Sequence, residues 1–362
     1  MTTASSILHI VPALFDKDDG IVGGAERYAF ELARHMAEEE PTTLLSFGAK
    51  DMERRVGRLR IRVIGSPLYL RGQKNNPIAA ALIREVLKAK VVHCHQQHII
   101  ASSSAALACR LTGRKVFVSD LGGGGWDISS YISTDRWYHG HLHISEYSRK
   151  VFGHTSKTWA EVIYGGVDTG IFSPESCASA RDTVLFVGRL LPHKGVDYLV
   201  RAIPENMRLE LIGQPYDERF VADLHQLAKG KQVIFRHACT DDDLVAAYRK
   251  ALCVVLPSVY RNCYGDESKI PELLGQTLIE GMACGVPAVC TNVASMPEVV
   301  QDGITGFVVA PNDPDSLREK LIWLKEHAAA AAAMGAAARQ RVLDRFTWPG
   351  VVKRCLEIYE SL

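Results

Sequence analysis

Four residues in the second half of the chain have the types and spacing to hold a diphosphate ester. Arg189 and Lys194 stand five positions apart in GRLLPHKG, directly after the apolar run TVLFV. Arginine presents a planar fork of donors and lysine a mobile point charge, and both suit phosphate oxygens. In isolation the pair reads equally well as two surface cations. Glu272 and Glu280 stand in PELLGQTLIEGMACG, with seven residues between them. An ionised carboxylate only accepts hydrogen bonds and takes two vicinal hydroxyls. The two acids therefore suit the hydroxyls at either end of a sugar diphosphate ester, and a fully helical path between them spans about 12 Å. Gly275 is expected to open a helix, whose free N–H groups and positive dipole end attract a phosphate. Thr277 adds a hydroxyl there. Two acids alone would also read as an exposed helix carboxylate and a partner for the helix dipole.

Such residues need strand ends to carry them. SILHIVPA reads as a first strand, and GGAERYAFELARHMAEE as a helix with apolar positions at helical spacing. TTLLSFG, RIRVIG, VVHCH, KVFVSD and WAEVIYGG read as strands, with IAAALIREVLKAK and ASSSAALACRLTG as helices. The pattern restarts with TVLFVGR, then VDYLVRAI, MRLELIG, KQVIFRH, TDDDLVAAYRKA, ALCVVLPS, GQTLIEGMACG and VPAVCT, and ends in a long alanine-rich helical region. Alternating strands and helices imply an α/β fold with parallel sheets covered on both faces. FSPESCASARD (172–182) reads as a linker between two such units. Ligands of open parallel sheets bind at the carboxyl ends of the strands, so the loops after strands are expected to carry the chemistry.

Taken together, the motifs resemble the retaining GT-B glycosyltransferases of glycosyltransferase family 4. GGAERYAFELARHM is similar to that family's first loop and helix. IYGGVDTGIFSPE is similar to its domain-crossing segment, with Tyr164-Gly165 in place of the usual Pro-Asn. FVGRLLPHKGVDYLV, VIFRHACTDDDLVAAYRKALCVVLPS, ELLGQTLIEGMACGVPAV, NVASMPEVVQDGITGFVV and FTWPGVVKRCLEIYESL follow in the family's order. The resemblance implies two Rossmann-like domains facing across a cleft: 1–170 on the acceptor side, 171–345 binding the nucleotide sugar, and 346–362 as a helix crossing back. It implies that Arg189 and Lys194 bind the diphosphate and that Glu272 contacts the donor sugar beside the N–H groups of Leu274 and Gly275. Thr277 would touch phosphate and Glu280 the ribose. The base would lie near Arg236, His237 and Ala238, and Gly23 and Gly24 near phosphate and acceptor. The implied reaction moves a hexosyl unit from a UDP- or GDP-sugar to an acceptor hydroxyl. The acceptor is a carbohydrate, a lipid-linked saccharide or a small molecule, and no cofactor or metal is needed.

The chain departs from the family at one loop. Leu121 stands where many members have histidine, with Asp120 beside it and the run Gly122–Gly125 following. Trp126 and Asp127 are candidates to face the acceptor. His93 and His95, in VVHCHQQH, share a strand face and are candidates to line the acceptor side. That segment and HGHLH look like metal clusters, but no acid or cysteine stands at ligand spacing from either, so a metal is not expected.

Composition fits a soluble globular chain of 362 residues, 47% apolar and 23% charged, with a net charge of +1. Near-neutrality argues against nucleic acid as a partner. The basic stretch Arg54, Arg55, Arg58, Arg60 and Arg62 reads as a solvated face, or as a peripheral membrane contact with anionic headgroups. The nine cysteines include no Cys-x-x-Cys pair and look like small core residues of a reducing, cytoplasmic compartment. No signal peptide is read at the N-terminus, and no apolar run approaches the roughly 20 residues of a membrane span. Two other classes stay open. One is a catalytically silent nucleotide-sugar binder. The other is a nicotinamide-dependent oxidoreductase, which the absence of a G-x-G-x-x-G opening a helix disfavours.

Overall fold

A computed structural model describes residues 6–15, 23–122, 125–175 and 181–362. Gly123, Gly124 and residues 176–180 of the linker lie outside the described residues. The chain divides into two compact units, Met1–Tyr164 with Trp348–Leu362, and Gly165–Thr347.

The first unit runs β1 (Ile7–Ile10), α1 (Gly24–Glu39), β2 (Thr42–Gly48), β3 (Met52–Val56), β4 (Leu59–Gly65), β5 (Leu68–Tyr69), β6 (Pro77–Ile78) and α2 (Ala81–Val86). It continues with β7 (Val91–Cys94), α3 (Ile100–Thr112), β8 (Lys115–Val118), β9 (Gly140–His143), α4 (Glu146–Val151) and β10 (Ala160–Val162). Among the described residues these make an eight-stranded sheet in the order β10-β9-β8-β7-β1-β2-β4-β3. All neighbours pair in parallel except β3 with β4. Alternation along β2 sends Leu45 and Phe47 into a core with Leu82, Val86 and Cys109, while Leu44 joins Ala29 and Ala33 of α1 on the other side. Both faces are therefore covered, which is why β2 is buried along nearly its whole length, polar residues included.

The second unit holds β11 (Thr183–Val187), α5 (Val196–Ala202), β12 (Arg208–Ile212), α6 (Glu218–Leu227), β13 (Gln232–Arg236), α7 (Asp241–Lys250) and β14 (Ala251–Leu256). Then come α8 (Gln276–Ala283), β15 (Ala288–Thr291), α9 (Met296–Val299), β16 (Gly306–Val309), α10 (Pro314–Glu326) and α11 (Ala328–Arg345). Its sheet is parallel throughout, in the order β13-β12-β11-β14-β15-β16. The last helix, α12 (Trp348–Ser361), returns to the first unit and packs against α1.

In each sheet the strand order reverses at one place. The first sheet reverses between β1 and β7, and the second between β11 and β14. Connections leave such a pair in opposite directions and open a crevice at the carboxyl ends, where doubly wound sheets bind their ligands.

The long alanine-rich region expected as one helical stretch is two helices, broken at His327, whose backbone leaves the helical region (φ −115, ψ 56). Several elements were absent from the sequence reading, among them the short β5, β6, α4 and α9, strand β16 and three more. Those three are the charged edge strand β3, helix α6, and β9, whose residues form most of HGHLH.

Candidate active site

The loop after β11 carries Arg189 and Lys194 to the reversal point of the second sheet. Leu190 is fully buried and anchors the loop, with its N–H donating to the carbonyl of Gln214. Pro192–Lys194 form one turn of 3-10 helix, ended by Gly195 in the left-handed region (φ 67). A Cβ at Gly195 would lie 2.0 Å from the carbonyl oxygen of Pro257, just beyond β14. Only glycine lets the two crossings meet this closely. The N–H of Val259 then donates to the carbonyl of His193, tying the β11 loop to the β14 loop.

The side chains meet in the same place. Lys194 donates to Glu272 Oε2 at 2.5 Å, and both side chains are largely withdrawn from solvent. Arg189 is exposed, with its guanidinium 5.5 Å from the centroid of the Tyr216 ring. The imidazole of His193, between the two cations in sequence, is pushed down to about 4. Burial is the main cause, followed by the charges of Lys194 and Arg189, with Glu272 opposing. All three charged groups therefore act on one ring. Sequence reasoning passed over His193, although it stands inside the motif.

Gly275 precedes α8 in the left-handed region (φ 82), and no side chain caps the helix. Residues 272–275 are not helical, so the expected helical path from Glu272 to Glu280 begins only at Gln276. Leu274 is buried and Thr277 half-buried. Glu280 accepts a hydrogen bond from the hydroxyl of fully buried Tyr248, on α7, at 2.8 Å. No sequence signal pointed to Tyr248, since 32 residues separate it from Glu280.

Arg236 ends β13 at the sheet edge, two strands from β11, and His237 and Ala238 follow it. The Arg236 guanidinium is held by Glu210 at 2.8 Å, with Asp243 at 3.8 Å. His237 Nδ1 faces the carbonyl of Gly213 at 3.1 Å, and Ala238 is exposed. These residues are not brought into contact with the Lys194–Glu272 pair by any hydrogen bond or ion pair among the described residues.

In the first unit, Gly23 and Gly24 open α1 with extended backbone at Gly23 and no side-chain cap. His93 was a candidate to line the acceptor side. It is instead completely buried, with Nδ1 2.6 Å from the Tyr359 hydroxyl and Nε2 2.9 Å from Ser119 Oγ. His95 is also buried, and its Nε2 shares a hydrogen bond with His9 Nδ1 at 2.8 Å. His9 was not singled out in the sequence, but β1 runs beside β7 and places it opposite His93.

Leu121 is buried, and the N–H of Gly122 donates to Asp120 Oδ1 at 3.1 Å. A histidine does reach this loop, from elsewhere. His98 Nε2 lies 3.8 Å from Asp120 Oδ2, and its Nδ1 lies 2.9 Å from Ser129 Oγ. Burial raises the Asp120 carboxyl above its usual range, while the N–H of Gly122 and the nearby His98 oppose that. Trp126 is half-buried under the Arg71 guanidinium, 3.8 Å from its ring centroid. Asp127 is fully buried and accepts from Ser103 Oγ, Ser129 Oγ and the N–H of Ser129. These bonds hold the loop.

The arginine stretch lies on β3, β4 and the turn between them, largely matched by acids. Arg60 pairs with Glu53 at 2.9 Å and Glu85 at 3.4 Å, Arg62 with Asp51 at 2.6 Å, and Arg58 with Glu38 at 3.8 Å. Arg54 stacks on Phe15. No helix among the described residues is long and apolar enough to cross a membrane.

Sequence models of two families match consecutive parts of the chain. One, described as Glycosyltransferase Family 4, covers residues 22–170, and the other, Glycosyl transferases group 1, covers 172–341. The GDP-mannose-dependent alpha-(1-6)-phosphatidylinositol monomannoside mannosyltransferase of Mycolicibacterium smegmatis is 30% identical over 353 residues, spanning 90% of this chain and 84% of the relative. The chain belongs to glycosyltransferase family 4. This family-4 glycosyltransferase uses a nucleotide sugar. The alpha-maltose-1-phosphate synthase of Mycobacterium tuberculosis is 28% identical over 274 residues, 66% of this chain and 68% of that one. Among solved structures, Anabaena HepE in complex with UDP superposes with a TM-score of 0.77 at 18% identity, covering 99% of this chain and all of that one. The GT-B fold of the family-4 chain is thus matched along its whole length.

Proposed function

We propose that the enzyme moves a hexosyl unit from a UDP- or GDP-sugar to an acceptor hydroxyl with retention of anomeric configuration, in polysaccharide or glycoconjugate biosynthesis. The observation that carries this reading is the Lys194–Glu272 contact at the reversal point of the second sheet. It joins the two loops whose residues suit a phosphate and a sugar.

The chemical difficulty is departure of the diphosphate, which gathers negative charge as the anomeric bond breaks. Arg189, Lys194 and the uncapped start of α8 supply positive charge for it. Lys194 has three donors, so it can serve a phosphate oxygen while it keeps Glu272 in place. Glu272 accepts from hydroxyls of the donor sugar, beside the N–H groups of Leu274 and Gly275. Thr277 donates to phosphate. Glu280, oriented by Tyr248, accepts from the ribose. The base lies over the backbone of residues 236–238, because the Arg236 side chain is already engaged. In a same-face reaction the departing phosphate oxygen takes the acceptor proton, so the protein need not place a base on the opposite face.

His98, fixed by Ser129 and Asp120, takes the part that a histidine at Leu121 would otherwise have played toward a sugar hydroxyl. The acceptor is a carbohydrate, a lipid-linked saccharide or a small molecule. The lipid-linked reading draws on the name of the mannosyltransferase relative. A membrane contact through Arg54–Arg62 draws no support from the ion pairs of that stretch and is not part of this reading.

Release of nucleoside diphosphate from a panel of UDP- and GDP-sugars, with saccharide and lipid-linked acceptors, tests the proposal, with the product anomer read by NMR. Turnover with a retained anomer and no stimulation by added Mg²⁺ or Mn²⁺ is expected. Nucleotide binding without release of diphosphate in any pairing would make the protein a silent binder.

A further inference from the structure

We infer that His141, His143 and His154 form a binding site for a divalent transition metal of the zinc class, with Asp135 orienting two of the three ligands. The site lies wholly in the first unit, and the inference is independent of the residues assigned to donor chemistry.

The backbone brings the three rings together for local reasons. His141 and His143 alternate along β9 and so share a face. α4 follows at once, begun by a capping box between Ser145 and Ser148. It lasts only six residues and is turned back by Gly153 at φ 73. The N–H of His154 then closes onto the carbonyl of Arg149 at 2.9 Å. This short capped helix returns His154 to the face of β9. All three imidazoles are buried, and one nitrogen of each lies within 4.8 Å of the other two.

Asp135 decides which nitrogens are available. Its backbone carbonyl lies 3.1 Å from His141 Nε2, and its Oδ2 lies 3.7 Å from His154 Nε2. An ionised carboxylate and a carbonyl oxygen only accept hydrogen bonds. His141 therefore carries its proton on Nε2 and presents Nδ1 as a lone pair, while the Asp135 carboxylate attracts the Nε2 side of His154 electrostatically. Metal-bound histidines characteristically donate their other N–H to a carboxylate or a backbone carbonyl, and here the Asp135 carbonyl takes that part for His141 while its carboxylate lies 3.7 Å from His154. Gln97 donates to Asp135 Oδ1 at 2.8 Å and fixes the carboxylate in turn.

His143 Nε2 and His154 Nδ1 share a hydrogen bond at 3.1 Å, so these two nitrogens already face each other. Two nitrogens on one tetrahedral ion, each about 2.0–2.1 Å from the metal, stand about 3.3–3.4 Å apart. The observed spacing is within a few tenths of an ångström of that edge. Three neutral imidazoles suit zinc, copper, iron or nickel over magnesium or calcium, and a tetrahedral site leaves a fourth position for water.

The other histidine trio, His9, His93 and His95, is a poorer candidate. Both nitrogens of His93 are already engaged by Tyr359 and Ser119, which leaves that trio two ligands.

The test is titration of the chelator-stripped full chain with Co²⁺, followed by visible absorption, and then displacement by Zn²⁺. A saturating tetrahedral Co²⁺ spectrum at one ion per chain, bleached by Zn²⁺ and accompanied by a rise in Tm, is expected. Asp135→Asn should weaken Co²⁺ binding about 10- to 100-fold, and His154→Gln should abolish the spectrum. His9→Gln should leave it unchanged. Failure of the wild-type chain to develop the spectrum overturns the inference whatever the variants do. So does a spectrum that survives His154→Gln, or one lost in His9→Gln instead.

Discussion

Lys194 and Glu272 are in contact, Nζ to Oε2 at 2.5 Å, although 78 residues separate them. The residue assigned to phosphate and the residue assigned to sugar hold each other in position.

Each partner is therefore a support for the other. Lys194→Ala leaves a largely buried carboxylate unpaired, which costs about 1–3 kcal/mol, and it removes a charge from the leaving group. Urea unfolding should show the stability loss, and kcat should fall by about 10²-fold. Lys194→Ala combined with Glu272→Ala should be more stable than the two single losses added together, by about 0.5–3 kcal/mol. Simple additivity would mean that the pair does not hold the loops.

Arg189 behaves differently because it is exposed. Arg189→Ala should leave stability within about 0.5 kcal/mol of the parent. The stabilisation of the fold by a nucleoside diphosphate should nevertheless shrink, because that shift scales with affinity. Thermal shift with UDP or GDP against uridine or guanosine isolates the diphosphate. An undiminished diphosphate increment in the variant would place Arg189 outside the site.

Glu280 and Tyr248 make a paired prediction. Glu280→Ala should remove the preference for a ribose over a 2′-deoxyribose nucleotide. Tyr248→Phe takes away one neutral donor to a charged acceptor, a loss of about 1.5–3 kcal/mol in hydrogen bonding, and should reduce the preference less. Calorimetric titration with both nucleotides measures it. Equal affinities in the parent chain would remove the ribose role from Glu280.

His98→Ala should lower kcat/KM with little change in nucleotide affinity, because the ring serves the loop that holds Asp120 and Leu121. Steady-state kinetics beside nucleotide titration separates the two. A variant with parental kcat/KM would return the missing histidine to the status of a true loss.

The trio His9, His93 and His95 contributes, with buried His141 and His143 and half-buried His193, to a pH dependence of stability. Burial moves His9 from 6.5 to about 3, and holds His93 and His95 well below their ordinary value, helped by their mutual repulsion. Below about 6.5 the unfolded chain takes up these protons and the folded chain does not. The contribution is complete above that pH and is lost as pH falls toward the depressed values. Each such group costs about 1.4 kcal/mol per pH unit in the window. The urea midpoint should therefore drop steeply between about pH 7 and pH 5. A level midpoint across that range would mean that the buried rings take up protons in the folded chain as readily as in the unfolded one.

Local pattern alone determined much of this protein. TTLLSFG is β2 to the residue, and the glycine in PELLGQTLIEG does open α8 at φ 82. Propensity, periodicity and backbone permissiveness belong to contiguous residues, so they survive without a fold. The same reasoning missed β3, whose charged residues match no apolar alternation, and β9, whose histidines mask an ordinary buried strand. It could not find the contacts that give the residues their work. Sheet order sets β14 beside β11 and β1 beside β7, and that order brought Lys194 to Glu272 and His9 to His95. Tyr248 met Glu280, and His98 met Asp120, by packing across the chain. A side chain's partner depends on which distant strand or helix becomes its neighbour, and no spacing along the sequence encodes that distance.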